Sequence, residues 1–318
     1  MEVFVQLLRL AAVAAASVMF CAMSAAQADD SIGSARSTTG ERAIDHWTPE
    51  AMSAAAQVPK PNIDPSTIKP PPDAGRSGMA PGGLPSAVSE EAAKMQHERA
   101  AGDVNQMPLV FAGKMFFSKP DGDFTCSAQF ISKNVLLTAA HCVRDDKSGD
   151  FWKNITFFLQ YDKGRASAKY GQKCVATFNG WVQPGPEKYL SDFAMILVDG
   201  DSRTGWFGTQ WNWQGEYKNA NKIGYPSGVD QGETMQIVGG PIMVDSGLVQ
   251  MKHGDPNKQQ GSSGGAWIGD YDTQGDANKN HIISVESFNF ADQPGVDYGP
   301  YFDDRIKKLY DYVSNGCQ

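Results

Sequence analysis

The sequence is short of histidine. It has five in 318 residues: His46, His97, His141, His253 and His281. Any proton-transfer chemistry that uses imidazole therefore has few places to sit. There is no C-x-x-C pair, which excludes a zinc ribbon. There is no excess of basic residues. Lys and Arg total 28 against 36 Asp and Glu, for a net charge of −8, which argues against a nucleic-acid partner. Strands and helices do not alternate along the chain, so a parallel α/β sheet is excluded as well. The one long apolar run stands at the very start.

That run, within MEVFVQLLRLAAVAAASVMFCAMSAAQA, is apolar from Leu10 to Ala22 apart from Ser17. It ends in Ala26-Gln27-Ala28, an A-x-A cleavage pattern. Residues 1–28 read as a signal peptide, with a retained membrane anchor as the alternative. The residues before Cys21 do not form a lipoprotein acylation site. Cleavage removes Cys21 and leaves Cys126, Cys142, Cys174 and Cys317. An even set in an exported chain predicts two disulfides. The predicted location is secreted, extracellular or periplasmic, with no stable membrane association.

Residues 29–106 differ in composition from the rest of the chain. Nine of the 18 prolines lie there, with no cysteine and few aromatics. The stretch reads as a loosely ordered segment, either a linker or a propeptide. Helix formers predict a short helix over Ser86–Ala100. From Met107 the pattern is β: PLVFAGKMFF, FTCSAQFIS, NVLLTAA, FAMILVDG, ETMQIVGG and HIISVESFNF are short runs separated by Gly, Asp, Asn, Ser and Lys. Many short strands at close spacing predict a sandwich or barrel. At the end, Phe302, Ile306, Leu309 and Val313 share one helical face, and Asn315-Gly316 is a stop signal.

The chemistry centres on KQQGSSGGAWI, residues 258–268. Glycines let another chain approach the backbone closely. An alcohol is a poor nucleophile at neutral pH, so either serine needs a base. His141, in NVLLTAAHCV, follows a buried-looking strand. Asp192 opens SDFAMILV, where an acid leads straight into an apolar strand and needs a partner if buried. Each alone has a structural alternative, a core histidine and a strand-end cap. Together they form an ordered set: His141, then Asp192 after 51 residues, then Ser263 after 71 more. GSSGG also fits the nucleophile elbow of α/β-hydrolases, but that plan needs Ser, acid, His in order. Only 55 residues follow Ser263, with His281 as their sole histidine. The subtilisin order, acid before histidine, fits no better.

TAAHC, DFAMILV and GSSGG in this order resemble the chymotrypsin/trypsin-like serine peptidases. PLVFAGKMFF…FTCSAQFIS…NVLLTAAHC resembles their bacterial secreted, glutamyl-endopeptidase-like branch. The resemblance covers residues 107–316. It implies an all-β fold of two six-stranded antiparallel β-barrels, about 107–205 and 206–300, with a C-terminal helix at about 302–315. It implies Ser263 as nucleophile, His141 as general base and acid, and Asp192 as its orienter. The N–H groups of Gly261 and Ser263 would form the oxyanion hole. It also implies a Cys126–Cys142 bridge beside the histidine, and with it Cys174–Cys317 as the second pair. No cofactor and no metal are implied, and the partner is a protein or peptide substrate.

The sequence departs from that family in places. Ser262 stands where trypsin-like zymogens carry aspartate, and no IVGG-like start precedes the first barrel. Both argue against activation by an inserted N-terminus. Candidate substrate-binding residues are Asn257, Lys258, Ser284, Glu286 and Ser287. Lys258 would favour an acidic substrate side chain and Glu286 a basic one; the alternative is that the two pair with each other or face solvent. The acidic stretch DYDTQGDANKN reads as a solvated turn or a calcium loop. The expected activity is a serine endopeptidase working through an acyl-enzyme. A catalytically silent binding module and an esterase are the alternatives.

Overall fold

The computed structural model describes residues 29–37, 40–61, 63, 75–85, 103–255, 262–276, 278–290 and 292–318. Residues 1–28, the expected helix at 86–100, and Asn257, Lys258 and Gly261 lie outside them.

The first sheet rolls into a barrel. Its strands are β4 (Ala112–Lys119), β5 (Gly122–Phe130), β6 (Val135–Thr138), β7 (Lys153–Leu159), β8 (Ala168–Phe178) and β9 (Ala194–Val198). They pair antiparallel in the order β8-β7-β4-β5-β6-β9, and β8 also pairs with β9, which closes the ring. Closure removes exposed edges and buries the alternate side chains of every strand. Met115, Phe117, Phe130, Leu136, Phe157, Val175 and Ile196 fill its interior.

The second sheet holds β10 (Gly208–Trp211), β11 (Asn219–Gly224), β12 (Gln236–Asp245), β13 (Leu248–Lys252), β14 (Ala266–Ile268), β15 (His281–Val285) and β16 (Val296–Pro300). Their order is β16-β13-β12-β11-β14-β15-β10. The chain after β15 joins the far end: Phe288 and Tyr298 exchange N–H···O=C bonds of 3.1 and 2.9 Å. The terminal helix, Arg305–Ser314, buries Ile306, Leu309 and Val313, with Phe302 buried just before it. No described helix is long and apolar enough to cross a membrane.

The described part of residues 29–106 is not the loose segment its composition suggests. It contributes β1 (Ile32–Arg36), β2 (Ala56–Gln57) and β3 (Gly78–Ala80), with α1 (Gly40–Asp45) and α2 (Pro49–Ala54) between the first two. β1 pairs with β8, β2 with β5 and β3 with β10, so the segment adds strands to both sheets. Trp47 and Met52 are buried against Phe116 and its neighbours. Paired backbone and a few apolar anchors order a stretch whose mean composition is polar. With the segment's helices counted, the terminal helix is α3.

Two disulfides are present. Cys126–Cys142 joins β5 to the turn after β6, with Cα atoms 6.1 Å apart. Cys174–Cys317 ties the chain end after α3 to β8, with a Cα separation of 6.4 Å.

Candidate active site

His141 sits in a one-turn 3-10 helix, Ala140–Cys142, straight after β6. Small Ala139 and Ala140, both buried, let this turn lie deep. The disulfide at Cys142 fixes its far end. Asp192 is fully buried just before β9. Its carboxylate is satisfied on both oxygens. The His141 backbone N–H donates to Oδ1 at 2.9 Å, and His141 Nδ1 bonds Oδ2 at 2.8 Å. Ser287 Oγ donates to the same Oδ2. A carboxylate on Nδ1 selects the tautomer in which Nε2 is the basic nitrogen. The acid is held from behind as well: Arg305 of α3 donates to Ser191 Oγ at 2.8 Å and to the Leu190 carbonyl at 2.9 Å.

Ser263 is fully buried in the turn before β14. Its carbonyl accepts from Ser127 N–H of β5 at 2.7 Å, so the serine loop is tied across to the first barrel. Gln129 Nε2 reinforces the link, donating to the Gly264 carbonyl at 3.1 Å and to Leu137 at 2.9 Å. Gly264 has φ +78°, and a Cβ there would lie 2.1 Å from Thr138 Oγ1 and 3.0 Å from Ala139 N. Only glycine permits that approach. The serine turn therefore packs directly on the residues that precede His141. Among the described residues, Ser263 Oγ and His141 Nε2 are both buried and without hydrogen-bond partners. An open groove of about 1330 Å³ has His141, Trp181 and Tyr189 on its wall, with Val58, Pro59 and Pro61 of the N-terminal segment.

The other expected substrate contacts resolve differently. Ser284 lies within β15, and its hydroxyl donates to the Pro300 carbonyl at 2.9 Å, so it serves the second sheet. Ser287 bonds Asp192 through its side chain, which makes it a support for the acid. Glu286 is fully buried, and its partners are Lys60, Lys222 and Trp267. The loop at 270–280 is a self-bonded turn. Asp272 accepts from Gln274 and Asp276 N–H at 2.9 and 3.2 Å, and Asp276 from Asn278 N–H at 2.9 Å. Asp270 at its start pairs with His281, taking the backbone N–H at 2.7 Å and Nδ1 at 2.8 Å. Among the described residues, the metal-like grouping Cys126, His141 and Cys142 is the disulfide beside the histidine.

Sequence reading missed Lys60, Lys222, Asp297 and His253, which meet Glu286 in one buried cluster. The available signal was a lone charge inside each of two strands, Lys222 in NANKIG and Asp297 in VDYGP.

No protein-family model matches the sequence, and none of the curated proteins matches it. Solved structures do. A thermostable serine protease from an extremophilic microorganism aligns with a TM-score of 0.56 at 25% identity, over 65% of this chain and 97% of that one. The fold is chymotrypsin-like. The protease Anisep from Arthrobacter nicotinovorans aligns at 22% identity and TM-score 0.56, over 65% and 96% of the two chains. A Glu endopeptidase aligns at 15% identity and TM-score 0.55, over 68% and 96%. The shared part is about two-thirds of this chain and nearly all of each of theirs.

Proposed function

We propose that the protein is an exported serine endopeptidase. Ser263 Oγ attacks the scissile carbonyl and forms an acyl-enzyme. His141 Nε2 takes the serine proton, gives it to the departing amine, and then draws a proton from the water that releases the acyl group. Asp192 keeps Nδ1 protonated and stabilises the imidazolium. Ser287 holds the Asp192 carboxylate in place. The N–H groups of Ser263 and Gly261 receive the oxyanion, a contribution worth about 10²–10³ in turnover per donor in such sites.

One observation carries this reading. A fully buried Asp192 accepts two bonds from His141 and one from Ser287, while among the described residues the buried His141 Nε2 and Ser263 Oγ have no hydrogen-bond partner and do not bond each other. Buried polar atoms are ordinarily hydrogen-bonded, and exceptions call for a functional account. A base and a nucleophile awaiting substrate is such an account. The two disulfides support an oxidising compartment.

Labelling with a fluorophosphonate tests the assignment. The natural chain and Ser262→Ala take the label, and Ser263→Ala and His141→Ala do not. Label retained in Ser263→Ala contradicts it. A panel of matched peptide amides and esters then separates peptidase from esterase.

A further inference from the structure

The N-terminal segment delivers one side chain into the second barrel. After β2, Val58 N–H reaches the Thr125 carbonyl at 3.4 Å, and Val58 is buried among first-barrel residues. Pro59 and Pro61 lie on the wall of the His141 groove. Between them, the Lys60 side chain is only 2% exposed. Its ammonium bonds Glu286 Oε1 and, at 3.1 Å, Asp297 Oδ1. Lys222 of β11 contacts the opposite oxygens, Glu286 Oε2 at 3.4 Å and Asp297 Oδ2. Trp267 Nε1 donates to Glu286 Oε2 and His253 Nε2 to Asp297 Oδ2, each at 2.9 Å. His253 Nδ1 accepts the Asp255 N–H at 3.1 Å, so Nε2 carries the proton and the ring is neutral.

Among the described residues, the charge count is then two ammoniums against two carboxylates. Withdrawing Lys60 leaves one against two among these residues, a net negative charge on buried groups. Buried charge without a partner is strongly unfavourable, so the vacated chamber selects a cation. An acidic side chain would add a third carboxylate. Burial opposes the charge on Lys60, but Asp297 and Glu286 outweigh it and hold its pKa above the usual lysine value. Burial pushes Asp297 up, yet Lys222 and Lys60 hold it well below the usual carboxylate range. Lys60 and Asp297 are ionised through the neutral range, while burial and the neighbouring Asp297 push Glu286 above the usual carboxylate value.

The chamber adjoins the proposed nucleophile. The Glu286 carbonyl accepts from Gly264 N–H at 2.8 Å, and its N–H donates to the Gly265 carbonyl at 2.9 Å. Gly264 follows Ser263 directly, and Ser287, next in the chain, holds Asp192. Glu286 is thereby tied through its backbone to the two residues that follow Ser263. We infer that this chamber is the specificity pocket, that it takes a lysine or arginine side chain from the acyl side of the scissile bond, and that Lys60 occupies it as an internal competitor. The inference rests on the serine-peptidase reading above. It assigns Glu286 and Asp297 as specificity residues and makes residues 56–61 a built-in block on the site.

The test uses the full chain with Lys60→Ala and Lys60→Met, the latter keeping the length without the charge. Both are expected to hydrolyse lysine-ending peptide amides at least tenfold faster than the natural chain. Both should prefer lysine or arginine over glutamate by at least a hundredfold, and Glu286→Gln added to Lys60→Met should erase most of that preference. A readout independent of turnover is n-propylammonium, which supplies the atoms that Lys60→Ala removes. It should raise the melting temperature of Lys60→Ala saturably and leave the natural chain unchanged. Should neither Lys60 variant fold, the natural chain's residual preference between lysine and glutamate substrates decides. Equal rates with and without Lys60, or a preference for glutamate or apolar substrates, overturns the inference. If Ser263 takes fluorophosphonate while that preference is missing, the specificity claim alone falls. If Ser263 is unlabelled in every form, the peptidase reading falls, and the inference with it.

Discussion

The two barrels bury charge in opposite ways. The first carries His141 and Asp192, a pair answered entirely by neighbours on fixed elements: its own backbone N–H, Ser287, and a turn clamped by Arg305. The second carries Lys222, Glu286, His253 and Asp297, a set whose charges, among the described residues, balance when Lys60 arrives from outside the barrel. The difference separates two tasks. A base must stay in one tautomer and one position through every cycle, so its environment is closed. A pocket that reads substrates must exchange its occupant, so its environment is left one cation short.

Substitutions on both sides put this contrast to the test. The largest effect belongs to the first barrel's side: Ser263→Ala or His141→Ala should lower kcat/KM by about 10⁴–10⁶, read by amide hydrolysis, with the fold retained by circular dichroism. Next is the bridge that returns the chain end to the first barrel. Replacing Cys174 and Cys317 by alanine opens a separation of 143 residues and should cost about 5 kcal/mol in denaturant unfolding. The corresponding change at Cys126 and Cys142, separated by 16, should cost about 3 kcal/mol.

Asp297→Asn leaves Lys60 and Lys222 short of a partner and should destabilise by about 3–5 kcal/mol at neutral pH. The sign of its pH dependence follows from the depressed pKa of Asp297. Its stabilisation is present above the unfolded-state value near 3.8 and fades as pH falls below it. Urea melts of wild type and Asp297→Asn should therefore converge as the pH is lowered below about 4. A gap that widens on acidification contradicts the assignment. The smallest effect is Ser287→Ala, which removes one bond to a charged group, worth about 1.5–3 kcal/mol. Activity should drop by about tenfold or more with KM little changed, because the acid is loosened and the substrate is untouched.

The legibility of the sequence follows the same division. The residues proposed to react stand out in the sequence because each is marked locally: TAAHC, DFAMILV and GSSGG carry their own strand and turn context. The short β runs, the terminal helix face and the even cysteine set were readable for the same reason. The acid cluster was not. Lys60 and Glu286 lie 226 residues apart, and nothing near Lys60 in a proline-rich stretch marks it as buried. Ser287 was legible as a strand neighbour of the site, but its hydroxyl partner, Asp192, is 95 residues away. The ordering of residues 29–61 was not legible either, because single strands that borrow partners from a barrel need no apolar periodicity of their own. β1 shows this, with only Ile32 and Ala35 as apolar positions and all five residues paired to β8.

The central claim is a covalent intermediate on Ser263. Its most direct measurement is rapid mixing of the natural chain and Lys60→Met with a p-nitrophenyl ester, followed by acid quench and peptide mapping by mass spectrometry. The account predicts a burst of p-nitrophenol in Lys60→Met equal to the enzyme concentration, smaller in the natural chain, with the acyl group on Ser263. An acyl group mapped to Ser262 or another residue, or no burst in either protein, would contradict it.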